Sequence, residues 1–410
     1  MRRWRSAYST GADDLPASVV RTRLRLMWFP LGAAGLLVVL TGWLPADAAR
    51  DVALTRGAPV LGFLVAITVL AELADRAGVF DAAAGICARA GRGSSRRLFL
   101  LIALLGTLTT VGMSLDTTAV LLTPVVLTLT ERLGLRPLPF ALLVVWLANT
   151  ASLLLPVSNL TNLLALQRLG LSTPGFAARM VLPELVAVLV TVAYLALLFR
   201  RDLRASYQLP ARAQPGDRWT FRLCALACLA LAPGVLAGAA PWAVAVPCAA
   251  VAVAAFAIRS PAELSWRLVP WRLILMTEGL FLVVSALSVH GLSGLIGSLS
   301  GRSSLRTVLT AAGASNLINN LPAYLAMERA APPAAAGGPA GQTHLLAVLL
   351  GTDTGPLILV WGSLATLLWL DRCRQRGMRV PARTFAAVGL AGVPLVLFGS
   401  WLALLVGAQV

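Results

Sequence analysis

The chain has 410 residues, 58% of them hydrophobic and 12% charged, with a mean hydropathy of +0.82. A soluble fold of that length needs a far larger charged surface, so the composition excludes a water-soluble globular protein and points to an integral membrane protein. The net charge of +17 would suggest nucleic acid in a soluble chain; here all 34 basic residues are arginine, and cytoplasmic loops of membrane proteins collect them, so topology accounts for the charge and no nucleic acid is expected.

Taken in chain order, residues 1–26 form a basic, cytoplasmic segment with no apolar core of the kind a cleavable signal peptide carries. Apolar runs near the ~20-residue spanning length follow at 27–44 and 57–75. Residues 77–95 read as an interfacial connector. The apolar stretch 98–130 is interrupted by polar residues and is long enough for two short arms, so it is expected to be a re-entrant hairpin. Spans at 138–166 and 178–200 complete a first transmembrane repeat, 27–200, and a basic cytoplasmic linker covers 201–218. The second repeat, 219–410, holds spans at 219–238, 241–259 and 270–289, a connector at 290–301, a second hairpin at 303–330, and spans at 344–371 and 384–408. The fold class expected is an all-α polytopic membrane protein with two inverted-topology repeats. Each has a re-entrant helical hairpin and a broken transmembrane helix, for about 9–10 spans in all.

The arginines test this layout. With the N-terminus in the cytoplasm, 27 of the 34 arginines fall on the inside. The rest, Arg50, Arg56, Arg168, Arg179, Arg302, Arg306 and Arg329, fall outside. A wrong span count would scramble that bias, so it supports nine crossings with the C-terminus outside.

Shifted by 204 residues, 148–166 (ANTASLLLPVSNLTNLLAL) falls on 352–370 (TDTGPLILVWGSLATLLWL) without a gap. Thr150 meets Thr354, Asn149 meets Asp353, and Ser158-Asn159 meets Gly362-Ser363; the same shift sets Asp116 on Asn320. The loop after the first hairpin is basic and its counterpart, 331–341, is uncharged, which is the pattern of an inverted repeat. The second half counts five spans and the first four, as though an initial helix were missing.

In hydrocarbon a helix break survives only inside protein or beside a water-filled cavity. Four breaks are expected: hairpin tips at 114–118 and 315–322, and broken spans at 149–159 and 351–363. Their helix ends would present free N–H groups and carbonyls to a polar chamber near mid-depth. The residues expected to line it are Asp116, Thr117, Thr118, Asn149, Thr150, Ser158, Asn159, Asn162, Asn316, Asn319, Asn320, Asp353, Thr354, Gly362 and Ser363. Asp116 and Asp353 stand out, because a carboxylate at the bilayer centre costs ~2.5–3.5 kcal/mol. They would carry a coupling proton or sodium ion or touch substrate; the structural alternative is capping of a half-helix. The amides and serines either line the chamber or cap helices.

Glu184 and Glu278 lie within apolar runs and are expected to pair locally more readily than to bind substrate. His290 and His344 sit at proposed outer edges, as solvated histidines. Cys224 and Cys228, spaced i, i+4, lack a third ligand and read as packing residues. No metal site, cofactor, disulfide framework or catalytic constellation is expected.

At its breaks the sequence resembles the ArsB-type arsenite permeases, within the ion-transporter superfamily that includes NhaD-type sodium/proton antiporters and the dicarboxylate/sulfate symporters. The residues that carry the resemblance are DTTAVLLTPVVL (116–127), NTASLLLPVSNLTN (149–162), NNLPAYL (319–325) and GTDTGPLILVWGSLATLLWL (351–370). The resemblance implies elevator-type movement of hairpins and broken helices, and a secondary transporter extruding neutral arsenite and antimonite trihydroxides. Proton-motive force or a soluble ArsA-type ATPase partner would drive it in the bacterial inner membrane. A sodium/proton antiporter and a cation-coupled dicarboxylate or sulfate symporter remain alternatives on the same fold. Outside transport, the alternatives are a non-transporting membrane subunit or an intramembrane enzyme, and the sequence shows no nucleophile–base pair for the latter. Substrate identity, coupling ion, transport direction and oligomeric state stay open at this stage.

Overall fold

The computed structural model describes residues 17–209, 216–300, 303–330 and 334–407. The expected cytoplasmic segment 1–26 falls outside them up to residue 16, as do 210–215 of the linker and 331–333 of the loop after the second hairpin. The described residues are helical with short connections, and one isolated β-bridge, Ser94 to Ser206, occurs among them. Seven of the described helices are long and apolar enough to cross a membrane.

Local chemistry starts and stops these helices. α1 is Ala17–Leu40. α2 runs Ala46–Arg76, with a π-helical stretch at Asp51–Gly57. That wide turn carries the helix through Arg50, Asp51 and Arg56, so the span expected from residue 57 begins at Ala46. α3 (Val79–Ala90) is the short connector. α4 (Ser95–Gly112) opens where Ser94 Oγ accepts from the Arg97 amide, and after a break at Met113 and Ser114 the chain returns as α5, residues 115–132. α6 (Pro137–Thr150) ends at an unwound segment and resumes as α7 (Leu160–Leu169). Gly170, at φ +64°, terminates α7, and Ser172 Oγ, accepting from the Gly175 amide at 3.2 Å, starts α8 (Thr173–Leu198). Asp217 accepts from the Trp219 and Thr220 amides to cap α9 (Arg218–Leu236). The Thr220 hydroxyl above all, then those amides and Arg259, holds this exposed carboxyl below its usual range.

The second half repeats the series. α10 is Pro241–Arg259, α11 Trp271–Leu287 and α12 Ser293–Ser300. α13 (Ser304–Ile318) and α14 (Asn320–Ala330) are the arms of the second hairpin. α15 (Ala334–Thr354) breaks before α16 (Leu364–Gln375), and α17 is Ala382–Gly407.

Packing pairs the halves reciprocally. α1 lies along α11 and α10 along α2; α4 packs on α6 as α13 does on α15; α7 meets α15 as α16 meets α6; α8 and α17 pack on one another. Eight helices of one half thus match eight of the other, and α9 is the odd one. Among the described residues the extra span counted in the second half is α9, which has no counterpart in the first. With each broken helix counted as one crossing and each hairpin as none, a repeat crosses four times and returns to its starting side. α9 then carries the chain across, so the second repeat starts from the opposite face and is inverted.

Small residues let these helices touch backbone to backbone, the packing that works where lipid offers no hydrophobic driving force. A Cβ on Gly35 would lie 2.6 Å from the Gly279 Cα where α1 crosses α11, and one on Gly355 would lie 2.5 Å from the Ala312 Cβ beside α13.

Candidate functional site

The four expected breaks are present, with narrower bounds at the tips. Ser114 Oγ accepts from the Thr117 amide at 3.2 Å, and the Thr118 hydroxyl donates to the Ser114 carbonyl at 3.1 Å. These hydroxyls start a helix, so Asp116, Thr117 and Thr118, expected in the first tip, lie in the first turns of α5. The second tip narrows to Asn319, whose φ of +83° turns the chain between α13 and α14; Asn316 therefore belongs to α13 and Asn320 to α14.

The broken helices keep the repeat register. Thr150 and Thr354 end α6 and α15. Asn159 (φ −151°, ψ 143°) and Ser363 (φ −138°, ψ 145°) precede α7 and α16 in the same extended conformation. Asn159 Oδ1 accepts from the Thr161 amide at 3.3 Å as an N-cap.

Hydrogen bonds tie each break to its hairpin. In the first half, the Ser158 hydroxyl donates to the Val111 carbonyl at 3.1 Å. In the second, the Asn320 amide donates to the Gly362 carbonyl at 2.8 Å and Asn319 Nδ2 to the Trp361 carbonyl at 2.9 Å. Asn316 reaches furthest: Nδ2 donates to the Ala312 and Gly355 carbonyls at 2.8 and 2.9 Å, and Oδ1 accepts from the Ile358 and Leu359 amides at 3.2 and 2.9 Å. With both ends occupied by backbone, Asn316 clamps the unwound segment of the second broken helix.

The two halves meet at Asp353. Thr161 on α7 donates its hydroxyl to Asp353 Oδ1 at 2.8 Å, and Thr352 donates to the same oxygen at 3.2 Å. In the first unwound segment, Asn162 Nδ2 donates to the Ser152 and Leu155 carbonyls at 2.6 and 3.1 Å. Asn149 Nδ2 bonds its own helix at the Val145 carbonyl, and the Thr191 hydroxyl on α8 meets the Thr150 hydroxyl at 3.1 Å.

Several polar atoms are left over. Buried without a hydrogen-bond partner are Asp116 Oδ1, Asn149 Oδ1, Asn162 Oδ1, Asp353 Oδ2, Glu184 Oε1 and Ser363 Oγ. Except for the serine hydroxyl, each can only accept while the carboxyls are ionised. An orphaned buried acceptor costs about 1–3 kcal/mol, so each of these acceptors is suited to a proton donor, either a ligand hydroxyl or a proton itself.

Sequence reasoning missed Thr161, Thr352 and the use made of Glu184, which accepts from the Leu153 amide in the first break at 2.9 Å. The only signal for Thr161 was its place two residues after the N-cap. Sequence also missed a buried ionic contact, Arg56 to Glu328 at 2.6 Å, which joins the π-helical stretch of α2 to α14. Beside it Arg329 bonds Ser285, and a cavity of ≈ 10 Å³, about one water in size, is lined by Arg56, Ser285 and Arg329 among apolar neighbours. His290 is exposed, as expected, and stacks on Trp43 with ring centroids 4.7 Å apart; His344 is half-buried and faces the Thr307 hydroxyl at 3.4 Å. Glu278 lies against Gly57, and both its carboxylate oxygens are without a partner. Cys224 and Cys228 are free thiols, and no cluster of three metal-ligating side chains occurs among the described residues.

Comparison with known proteins places this architecture. The profile of CitMHS, described as citrate transporter, matches residues 18–352. The chain is 32% identical over 357 residues to an arsenical pump membrane protein of Escherichia coli, covering 82% of this chain and 83% of that one. A putative arsenical pump membrane protein of Bacillus subtilis is 25% identical, covering 92% of this chain and 96% of that one. Among solved structures, the YdaH transporter of Alcanivorax borkumensis shares the fold, with a TM-score of 0.56 at 16% identity, 95% of this chain and 98% of that one being covered. With its family match and its identity to the arsenical pumps, the chain is a multi-pass membrane transporter that belongs to the citrate transporter family.

Proposed function

We propose that the protein extrudes arsenite and antimonite as neutral trihydroxides, in exchange for protons, across a bacterial inner membrane. The observation that carries this reading is the excess of orphaned acceptors at the breaks. As(OH)3 and Sb(OH)3 present hydroxyl donors, and an acceptor-lined chamber suits them. A citrate or sulfate anion brings acceptors of its own and would want cationic or N–H donors facing it. Arg56 and Arg329 are engaged with Glu328 and Ser285. Asp353 and Asp116 are the proton carriers in this reading, and Asn149, Asn159, Asn162, Asn320 and Ser363 the substrate contacts.

Alternating access is elevator-like in this proposal: hairpins and broken helices move against the reciprocal scaffold of α1, α2, α10 and α11. The N-terminus lies in the cytoplasm and the C-terminus outside. A soluble ArsA-type ATPase, if used, meets the arginine-rich cytoplasmic face. Sodium/proton exchange is the second reading, favoured by the same acceptors, because carbonyl and carboxylate oxygens also suit a hard cation.

The test is arsenite and antimonite accumulation in an efflux-deficient bacterial strain expressing the protein or its Asp353→Asn variant. Wild type is expected to lower accumulation, and the variant to lose most of that effect. Accumulation equal to empty vector, with the protein confirmed in the membrane, sinks the arsenite reading. Sodium-driven proton movement in vesicles would then establish the second.

A further inference from the structure

Two adjacent polar contacts join the second hairpin to the α1–α2–α10–α11 bundle. Arg56, in the π-helical stretch of α2, reaches Glu328 of α14 at 2.6 Å, and Arg329, the next residue of α14, bonds Ser285 of α11. Beside them lies the cavity of ≈ 10 Å³. Its wall is made by Arg56 together with Leu164 of α7, Phe281 and Ser285 of α11, and Leu325 and Arg329 of α14.

Both sides of this seam lead back to the breaks. Thr161, whose hydroxyl holds Asp353 at 2.8 Å, precedes Leu164 by less than one turn of α7, about 4.5 Å of helix rise. Asn320, whose amide holds the Gly362 carbonyl at 2.8 Å, starts α14, and Glu328 lies about 12 Å further along that helix. The cavity therefore sits just beyond the Thr161–Asp353 contact. There a broken helix and a hairpin arm face α2 and α11.

We propose that this seam is the outer end of the substrate passage, and that the Arg56–Glu328 and Arg329–Ser285 contacts are its gate, parting to let the trihydroxide through. A cavity of one water's size passes no trihydroxide, so the gate is shut in this structure. An ion pair suits the duty. Water entering an opening seam rehydrates both charges and offsets their lost attraction, so parting costs little. Glu328 is wholly buried and the Arg56 side chain is 21% exposed, so the pair reaches from the interior to the rim. Glu328 gives Arg56 one oxygen and keeps Oε2 buried without a partner, which is a looser hold than a bidentate pair. Tyr324, four residues earlier on the same face of α14, keeps a buried hydroxyl without a partner as well. Both atoms are placed to take water or substrate hydroxyls once the seam parts.

The inference rests on the proposed movement of hairpins and broken helices against the bundle, and two measurements separate their failures. Leu325→Cys sets a thiol in the cavity wall. Mass spectrometry reads its labelling by a membrane-impermeant maleimide added to intact cells. Arg56→Gln with Glu328→Gln removes both charges together and strands neither. The pair is expected to raise labelling of that thiol by about tenfold or more, the factor for losing a charged hydrogen bond. Ser285→Ala, which breaks the second contact, should raise it too. Equal labelling with and without the contacts overturns the proposal, as does a rise seen only from the cytoplasmic side in inside-out vesicles. The second measurement bridges Phe281→Cys to Leu325→Cys with a short bismaleimide, which is expected to abolish arsenite transport in vesicles. Transport through a confirmed bridge sinks the elevator reading and the gate together. Arrest by the bridge, with labelling indifferent to the charges, leaves the elevator reading standing and the gate overturned. If the unbridged protein moves no arsenite, the substrate reading falls by itself, and the labelling still decides the gate.

Discussion

Thr161 shows how much a single hydroxyl can carry at this site. It lies in the first turn of α7 in the first half and bonds Asp353 in the second, so it is a side-chain bridge between the broken helices. Removing the hydroxyl while keeping the shape, as in Thr161→Val, is expected to cost about 0.6–2 kcal/mol of stability, the range for hydrogen bonds inside membranes. Transport should fall more than stability does, because Asp353 would lose its shorter donor; Thr161→Ser should restore both. Vesicle transport beside a detergent melting curve checks this, and equal losses in the two would make the bridge purely structural. Asn316 predicts the opposite balance. All its polar capacity holds backbone, so Asn316→Leu is expected to destabilise by roughly 2–4 kcal/mol, several lost bonds at about 1 kcal/mol each, with little folded protein left to transport anything. The repeat alignment made Asn149, Asp353, Asn159 and Ser363 legible in the sequence, because polar residues recurring at equal spacing inside apolar runs need a reason. Thr161 and Glu184 were not legible. A threonine is ordinary in a membrane helix, and nothing local told which break Glu184 would reach.

Among the elements, boundaries were the hardest to read. Hydropathy placed the hairpins and broken helices, since each is an apolar run with a polar interruption. It misjudged α2, where a π-helical stretch takes Asp51 and Arg56 into the helix, and it widened the tips, where hydroxyls that look like loop residues cap helix starts. The same π-helical stretch holds the Arg56–Glu328 pair, which joins the α1–α2–α10–α11 bundle to the second hairpin. Because Glu328 is wholly buried, Arg56→Ala is expected to destabilise by about 3–5 kcal/mol, the cost of an uncompensated buried charge. Arg56→Ala combined with Glu328→Ala should recover much of that. A double-mutant cycle on thermal melting measures the coupling; additive losses would mean the two side chains are independent. At the α1–α11 crossing, Gly279→Val should force the helices apart, because its Cβ would meet the backbone at Leu31 and Gly32. Overpacking of this kind costs about 1–3 kcal/mol, and loss of folded protein in the membrane reads it out.

For the whole molecule, the proposed topology combines the arginine bias with the helix order: nine crossings, with the N-terminus in the cytoplasm and the C-terminus outside. Arg76 bonds Glu72 and Glu263, and Asp75 has Arg372 in reach, so residues assigned to the cytoplasmic side gather at one end of the bundle. Arg56, Arg168 and Arg329, assigned outside, fall within electrostatic reach of Glu328 and Tyr324 elsewhere. The inversion then depends on α9. As an unmatched crossing between two units of four, it sets the direction of everything after it. Reporter fusions test this without any assumption about substrate. A phosphatase that is active only outside the cytoplasm should be silent when fused in the 201–209 linker. It should be active between α9 and α10, near Gly238, silent again near Ser260 between α10 and α11, and active after α17. The arginine-rich turn after α16 should be silent. Deleting α9 should reverse the fusions that follow it or abolish folding, because the second repeat would enter from the wrong face with Arg372–Arg383 left outside against the charge bias. Activity in the 201–209 fusion and silence near Gly238 would reverse the assignment of faces while leaving the inversion intact. Matching activity in the two would remove α9 as a crossing, and with it the inverted relation between the halves.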